Sequence, residues 1–379
     1  MRSPNHEYLP AVDQLRGFAA VLILYYHCYH NLYSLLVAHH PFNFTDYPHT
    51  RNFLLASLIE GHTAVSLFLV ISGFILTWGS LHRDMSYRLF FRNRALRILP
   101  LYLFVTMAGV YIYRDLFQFI AFVQTILPLG SLPGAAAIGV WSAVTWTVSI
   151  EMQLYLIFPV LQGWLRRAQI WQPVGVLVLA TLVRLAGLAL GANTLNLSYW
   201  TVLGRVDQFV LGALLAYWMQ SRTMPRFLAW LWPVSVVAMM SALYAFHLRG
   251  GWPTNEPWRI YWPLAEALLW CFVLATYVAF AKLLPRIISR AFTFLGEISY
   301  SIYLTHFVVV AIFSDRGWNF NFPGRPTESI LLSATFIMLP VVVAISWLTY
   351  NVVERPFLDL RKRYMAPSDS PIAAVPAEQ

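Results

Sequence analysis

Apolar positions along this chain run in long unbroken stretches, without the alternation of a half-buried strand or the single stripe of a surface helix. Stretches of about 20 apolar residues suit a helix that crosses a bilayer. They fall at 10–37, 57–79, 98–113, 146–165, 174–190, 200–219, 227–246, 262–281, 293–313 and 329–350. The pattern predicts an all-α integral membrane protein, a single bundle of about ten transmembrane helices. Between Asp115 and Thr145 the chain is apolar but broken by Pro128, Pro133 and several glycines, which reads as a re-entrant or interfacial segment. No loop has room for a soluble domain, so 1–365 is expected to be one transmembrane domain. The tail "APSDSPIAAVPAEQ", 366–379, has a disordered composition.

Composition agrees: 59% of residues are hydrophobic and 11% charged, against roughly a quarter charged in soluble domains. With ten spans and an inside amino terminus, seventeen loop arginines and lysines fall on the cytoplasmic side and six on the other. Both termini are therefore expected in the cytoplasm. Topology thus accounts for the net charge of +9, and nucleic acid binding is set aside. Asp13 and Arg16 interrupt the first span too early for a cleaved signal peptide. Cys28 and Cys271 lie in separate spans and suggest neither a disulfide nor a metal site. No repeat is visible, and no inverted pair of interrupted helices marks a transporter core.

Ionisable residues inside spans carry the candidate chemistry, because each costs about 2.5 to 3.5 kcal/mol at the bilayer centre. In "DQLRGFAAVLILYYHCYH", Arg16 and His27 share a helix face, separated by roughly 16 Å, with Asp13 and His30 nearby on it. Neutral histidine is cheaper to bury than a fixed charge and titrates near physiological pH, which suits His27 to general base work. In "FFRNRALRILPLY", Arg94 and Arg97 stand one helical turn apart, followed by Pro100 and Tyr102; guanidinium forks at that spacing can hold phosphate. In "WTVSIEMQLYLIFPVL", Thr147, Glu151 and Tyr155 form one stripe. Arg205, Asp207, Glu266 and the Ser299, Tyr303, His306 face add a polar lining.

These segments, in this order, resemble the acyltransferase type 3 family of bacterial membrane O-acyltransferases, which modify surface polysaccharides, lipid-linked sugars and macrolides. The resemblance runs from about Leu9 to Phe357. "AVDQLRGFAAVLILYYH" is similar to the family's opening Arg, ten residues, His segment, with Gln14 where a small residue is usual. "VSLFLVISGFIL" resembles its Ser-Gly-Phe segment, giving Ser72, with Ser66 where an acid is often found. "RNRALRILPLY" gives Arg94, Arg97 and Tyr102; "WTVSIEMQLYLIFP" gives Trp146, Glu151 and Tyr155. "GEISYSIYLTH" and "VVERPF" complete the set.

The resemblance implies an acyl-CoA donor, acetyl-CoA above all, no metal, and a carbohydrate or lipid-linked sugar as acceptor. It further implies that Arg94 and Arg97 hold the CoA phosphates while the pantetheine arm passes Arg16 toward His27, the base or an acylated nucleophile. Glu151 is expected to orient His27 or balance an arginine, and Asp13 to position Arg16. Many relatives carry a second, esterase-like domain that receives the acyl group; here transfer is expected within the bundle or through a separate acyl-accepting protein. A lipid-linked sugar transporter or flippase is the alternative that an inward polar stripe also allows.

Overall fold

The computed structural model describes residues 8–365 except 44–45, 113, 128, 132–143 and 223. The described residues form helices joined by loops, with one isolated antiparallel bridge, Met85 to Met365. In chain order the helices are α1 (Pro10–Leu36), α2 (Phe53–Ile59), α3 (Ala64–Ser80), α4 (Tyr87–Ile112) and α5 (Phe119–Ile126). They continue with α6 (Thr145–Arg166), α7 (Trp171–Ala189), α8 (Val206–Gln220), α9 (Trp232–Leu248) and α10 (Trp262–Phe280). The last are α11 (Arg286–Glu297), α12 (Ser299–Asp315), α13 (Pro326–Ser333), α14 (Leu339–Thr349) and α15 (Arg355–Asp359).

Helix lies over each of the ten apolar stretches, but only seven runs among the described residues are long and apolar enough to cross a bilayer. The protein is a multi-pass membrane protein on that evidence. α1 has the length, 27 residues, yet is diluted by Asp13, Arg16, His27 and His30; α8 has only 15 residues. The stretch 293–313 is not one helix: α11 and α12 meet at Ile298 with a bend of 72°, and together make an eighth crossing if counted as one span. This is one bent pair among the described residues, not the inverted pair of interrupted helices whose absence the sequence suggested. The bend follows from packing, because α11 lies along the start of α1 at glycine contacts. A Cβ on Gly296 would sit 1.9 Å from the Asp13 carbonyl oxygen, and one on Gly17 2.5 Å from that of Phe292.

The final run, Pro326–Asp359, continues past the expected end at 350 and carries wider turns at Ala334–Met338 and Tyr350–Glu354. α5 spans eight residues, about 12 Å, far short of a bilayer. Most of the remaining proline- and glycine-broken stretch, like the tail 366–379, lies outside the described residues.

α3 is the centre of the bundle. Of its best apolar window 83% is buried, against 17% for α7, whose Val178, Leu179 and Leu182 face outward as lipid-facing residues do. α3 and α8 cross backbone to backbone: Gly73 packs on the Phe209 carbonyl and Gly212 on that of Val70, where a Cβ would fall within 1.9 and 2.1 Å. Small residues permit such approach between membrane helices. The crossing also fixes the rotation of α3, turning Ser72 toward α6.

Candidate active site

A cavity of about 750 Å³ lies between α1, α3, α4, α6 and α12. Six of the sequence-predicted residues line it: Arg16, Ser72, Arg94, Arg97, Glu151 and Tyr155, joined by Thr147, Ser299, Tyr300 and Tyr303. A second cavity of about 720 Å³ shares Arg16, Arg94 and Arg97 with the first and continues past Asp13, Glu297, Tyr350 and Arg361. The three shared guanidiniums thus line both chambers.

Arg16 Nη1 reaches Asp13 Oδ1 at 3.5 Å, one turn back on α1. Arg97 pairs with the buried carboxylate of Glu354, which also accepts from Ser301 Oγ at 3.0 Å. The Arg97 guanidinium packs over the Tyr300 ring, while Arg94 stacks over Phe90 and Tyr155, 5.7 and 5.6 Å from the ring centroids. Flat, weakly hydrated guanidiniums tolerate such aromatic beds, and the stacking aims their N–H edges into the cavity.

Glu151 makes no hydrogen bond to His27 among the described residues; it shares the cavity with Arg16 and acts on that charge through space, without an ion pair within 4.0 Å. Its Oε1 accepts from the Tyr155 hydroxyl and, at 3.1 Å, from Ser72 Oγ, which itself lies 3.1 Å from the Tyr155 oxygen. The i, i+4 spacing on α6 and the α3 crossing bring these three together. Thr147, one turn earlier, bonds the Tyr303 hydroxyl at 2.6 Å, and the Tyr303 and Phe68 rings, 5.9 Å apart, both line the cavity.

His27 does not line this cavity. It is buried, and its partner is His306 of α12, three residues or about 4.5 Å of helix past Tyr303. His306 Nδ1 is 3.0 Å from the Ile302 carbonyl, so it carries the proton and donates. His306 Nε2 is then an acceptor, and it lies 2.9 Å from His27 Nδ1, which also sits 3.1 Å from the Ile23 carbonyl. For two neutral rings this arrangement puts the His27 proton on Nδ1 and its lone pair on Nε2. The Phe307 ring meets the His27 ring edge to face at 4.9 Å.

Two predicted residues lie apart from the cavity. The Tyr102 hydroxyl donates to the Thr125 carbonyl at 2.5 Å and tethers α5. Trp146 joins Tyr199 and Trp200 in an aromatic group around Arg205. In that neighbourhood Ser66 Oγ donates to Glu266 Oε2 at 2.7 Å and accepts from Arg205 at 2.9 Å, so a carboxylate from α10 stands beside position 66. Asp207 pairs with Arg184 at 2.7 Å, both fully buried. No group of three or more metal-ligating side chains occurs among the described residues.

The profile of the acyltransferase domain family matches residues 9–351, the segment that carries every one of these side chains except Glu354 and Arg361. The chain belongs to that family. It is 26% identical to acyltransferase MdmB of Streptomyces mycarofaciens, covering 96% of this chain and 95% of the relative. It is 27% identical to the exopolysaccharide production protein ExoZ of Rhizobium meliloti, covering 79% and 90%. No solved structure matches it. Within the family's segments, the structure adds residues that sequence reading left aside. His306 had been read as lining, and Glu354 sits in the quoted "VVERPF" without a role; their partners come from helices 279 and 257 positions away.

Proposed function

We propose that this acyltransferase moves an acyl group, acetyl foremost, from cytoplasmic acyl-CoA to a hydroxyl of a cell-surface polysaccharide or glycolipid sugar, in the bacterial inner membrane with both termini inside. The observation that carries this reading is one cavity lined by Arg16, Arg94 and Arg97, whose wall residue Tyr303 stands one helical turn from the histidine pair. ExoZ is named for exopolysaccharide production, which supports a sugar acceptor.

In this scheme Arg94 and Arg97 take the donor's phosphates, and the pantetheine arm lies along Arg16 and the Ser72, Glu151, Tyr155 group toward Tyr303. Release of Tyr303 from Thr147 lets the thioester reach His27. His27 Nε2 removes the proton of the acceptor hydroxyl as its oxygen attacks the thioester carbonyl. The C–S bond then breaks, and the imidazolium returns the proton to the leaving thiolate. His306 accepts the His27 Nδ1–H throughout, holding the tautomer that leaves Nε2 basic.

The test is acetyl transfer by the purified protein in nanodiscs, with surface glycans compared by mass spectrometry in cells with and without it. Acetyl-CoA-dependent loss of a glycan acetyl mark in the deletion, and its failure to return with His27→Ala at normal expression, is expected. Transfer that survives His27→Ala, or a glycan profile unchanged by deletion, sinks the reading.

A further inference from the structure

We propose that the C-terminal strap 360–365 supplies Arg361 as a third guanidinium for the phosphate-bearing nucleotide end of the donor. This rests on the acyl-CoA reading above and names the part of that substrate the second chamber holds.

The strap is tied to α4, the helix that carries Arg94 and Arg97. Asn93, fully buried, donates through Nδ2 to the Lys362 carbonyl at 2.6 Å and accepts from the Lys362 amide at 3.1 Å. The Ser86 amide donates to the Tyr364 carbonyl at 2.9 Å, and the Tyr364 ring packs on Phe90 at 5.6 Å. One side chain thereby clamps both backbone groups of the residue after Arg361, which sets the register of the strap and puts Arg361 in the chamber wall.

Positive charge exceeds negative in that chamber: Arg16, Arg94, Arg97 and Arg361 face Asp13 and Glu297, with Glu354 beside Arg97. Asp13 is engaged by Arg16 and Glu354 by Arg97. Among the described residues neither Arg94 nor Arg361 has a carboxylate within 4.0 Å. The Arg361 side chain makes one hydrogen bond, from Nε to the Leu358 carbonyl at 3.0 Å, which leaves both terminal nitrogens for a ligand. Burial, with Arg97 and Arg94 nearby, lowers its guanidinium to about 10, still charged at neutral pH. Guanidiniums in excess of their counter-charges are costly, and a polyanion relieves the cost. Planar forks suit phosphate oxygens, and charge-assisted bonds of this kind are stronger than neutral ones.

The test compares two donors in nanodiscs: acetyl-CoA, and S-acetyl-pantetheine, which carries the same thioester and no phosphate. With Arg361→Gln the KM for acetyl-CoA is expected to rise about tenfold or more while kcat holds within about twofold, the fold-change that loss of one charge-assisted bond gives. The KM for S-acetyl-pantetheine should not move. Arg361→Lys should recover part of the loss, and Asn93→Ala should shift the acetyl-CoA KM the same way by freeing the strap. An unchanged acetyl-CoA KM in Arg361→Gln, or an equal rise for both donors, overturns the inference. If Arg97→Gln weakens acetyl-CoA and Arg361→Gln does not, only this inference falls; a wild-type protein that uses neither donor overturns the acyl-CoA reading with it.

Discussion

Arg97 of α4 and Glu354, 257 positions later, form an ion pair in which the carboxylate is 1% exposed and the arginine 22%. The pair fastens the last helical run to the helix that presents the arginines, and Ser301 ties α12 to the same carboxylate. Removing Arg97 strands a buried charge, a loss of about 3 to 5 kcal/mol. Arg97→Gln should therefore lower thermal stability in detergent as well as acyl-CoA affinity. The double variant with Glu354→Gln should regain most of the stability and none of the affinity, measured by melting and by titration with acetyl-CoA. Affinity that returns together with stability would make Arg97 a structural residue only.

His306 tests the tautomer argument. His306→Phe removes the acceptor facing His27 Nδ1, whereas His306→Gln offers a carbonyl oxygen in its place. The Phe variant should lose about 10- to 100-fold in kcat, the range for partners that orient a histidine, with little change in the acetyl-CoA KM. The Gln variant should keep more activity than Phe. Equal losses in both would show that the contact is packing alone.

Gly73→Ala should destabilise the protein by about 1 to 3 kcal/mol or more, as overpacking of a rigid contact does. Its new methyl would meet the Phe209 carbonyl, not a flexible side chain. The shift would also carry Ser72 away from Glu151. A melting temperature matching wild type would mean that α3 and α8 can separate freely at this crossing.

The proposed scheme has Tyr303 govern passage between the cavity and the histidines. Tyr303→Ala removes the ring and its bond to Thr147. Acetyl-CoA hydrolysis without acceptor should rise severalfold as water enters alongside the thioester, while transfer to the glycan falls. Hydrolysis at the wild-type rate would place the barrier elsewhere.

Sequence periodicity carried far for residues on one helix. Thr147, Glu151 and Tyr155 share a stripe by spacing, and all three line the cavity; Arg16 and His27 sit on one unbroken helix as their separation requires. What spacing does not encode is which helices meet. Glu151 finds its partners through the Gly73 crossing, and His27 finds His306 across 279 positions. The bend at Ile298 falls inside a segment apolar enough on average to pass as one span; it is set by Gly296 against α1, a contact between distant segments. Tyr102 and Trp146 share motifs with cavity residues but point from other faces of their helices.

The contact between the Phe68 and Tyr303 rings has an electrical consequence. A catalyst that takes one reactant from each side of a membrane would, with both entrances joined, short-circuit the voltage across it. In the scheme proposed above, the Phe68 and Tyr303 rings and the Thr147 hydroxyl stand between the arginines and the imidazoles, so the layer that meters the thioester would also insulate the cell.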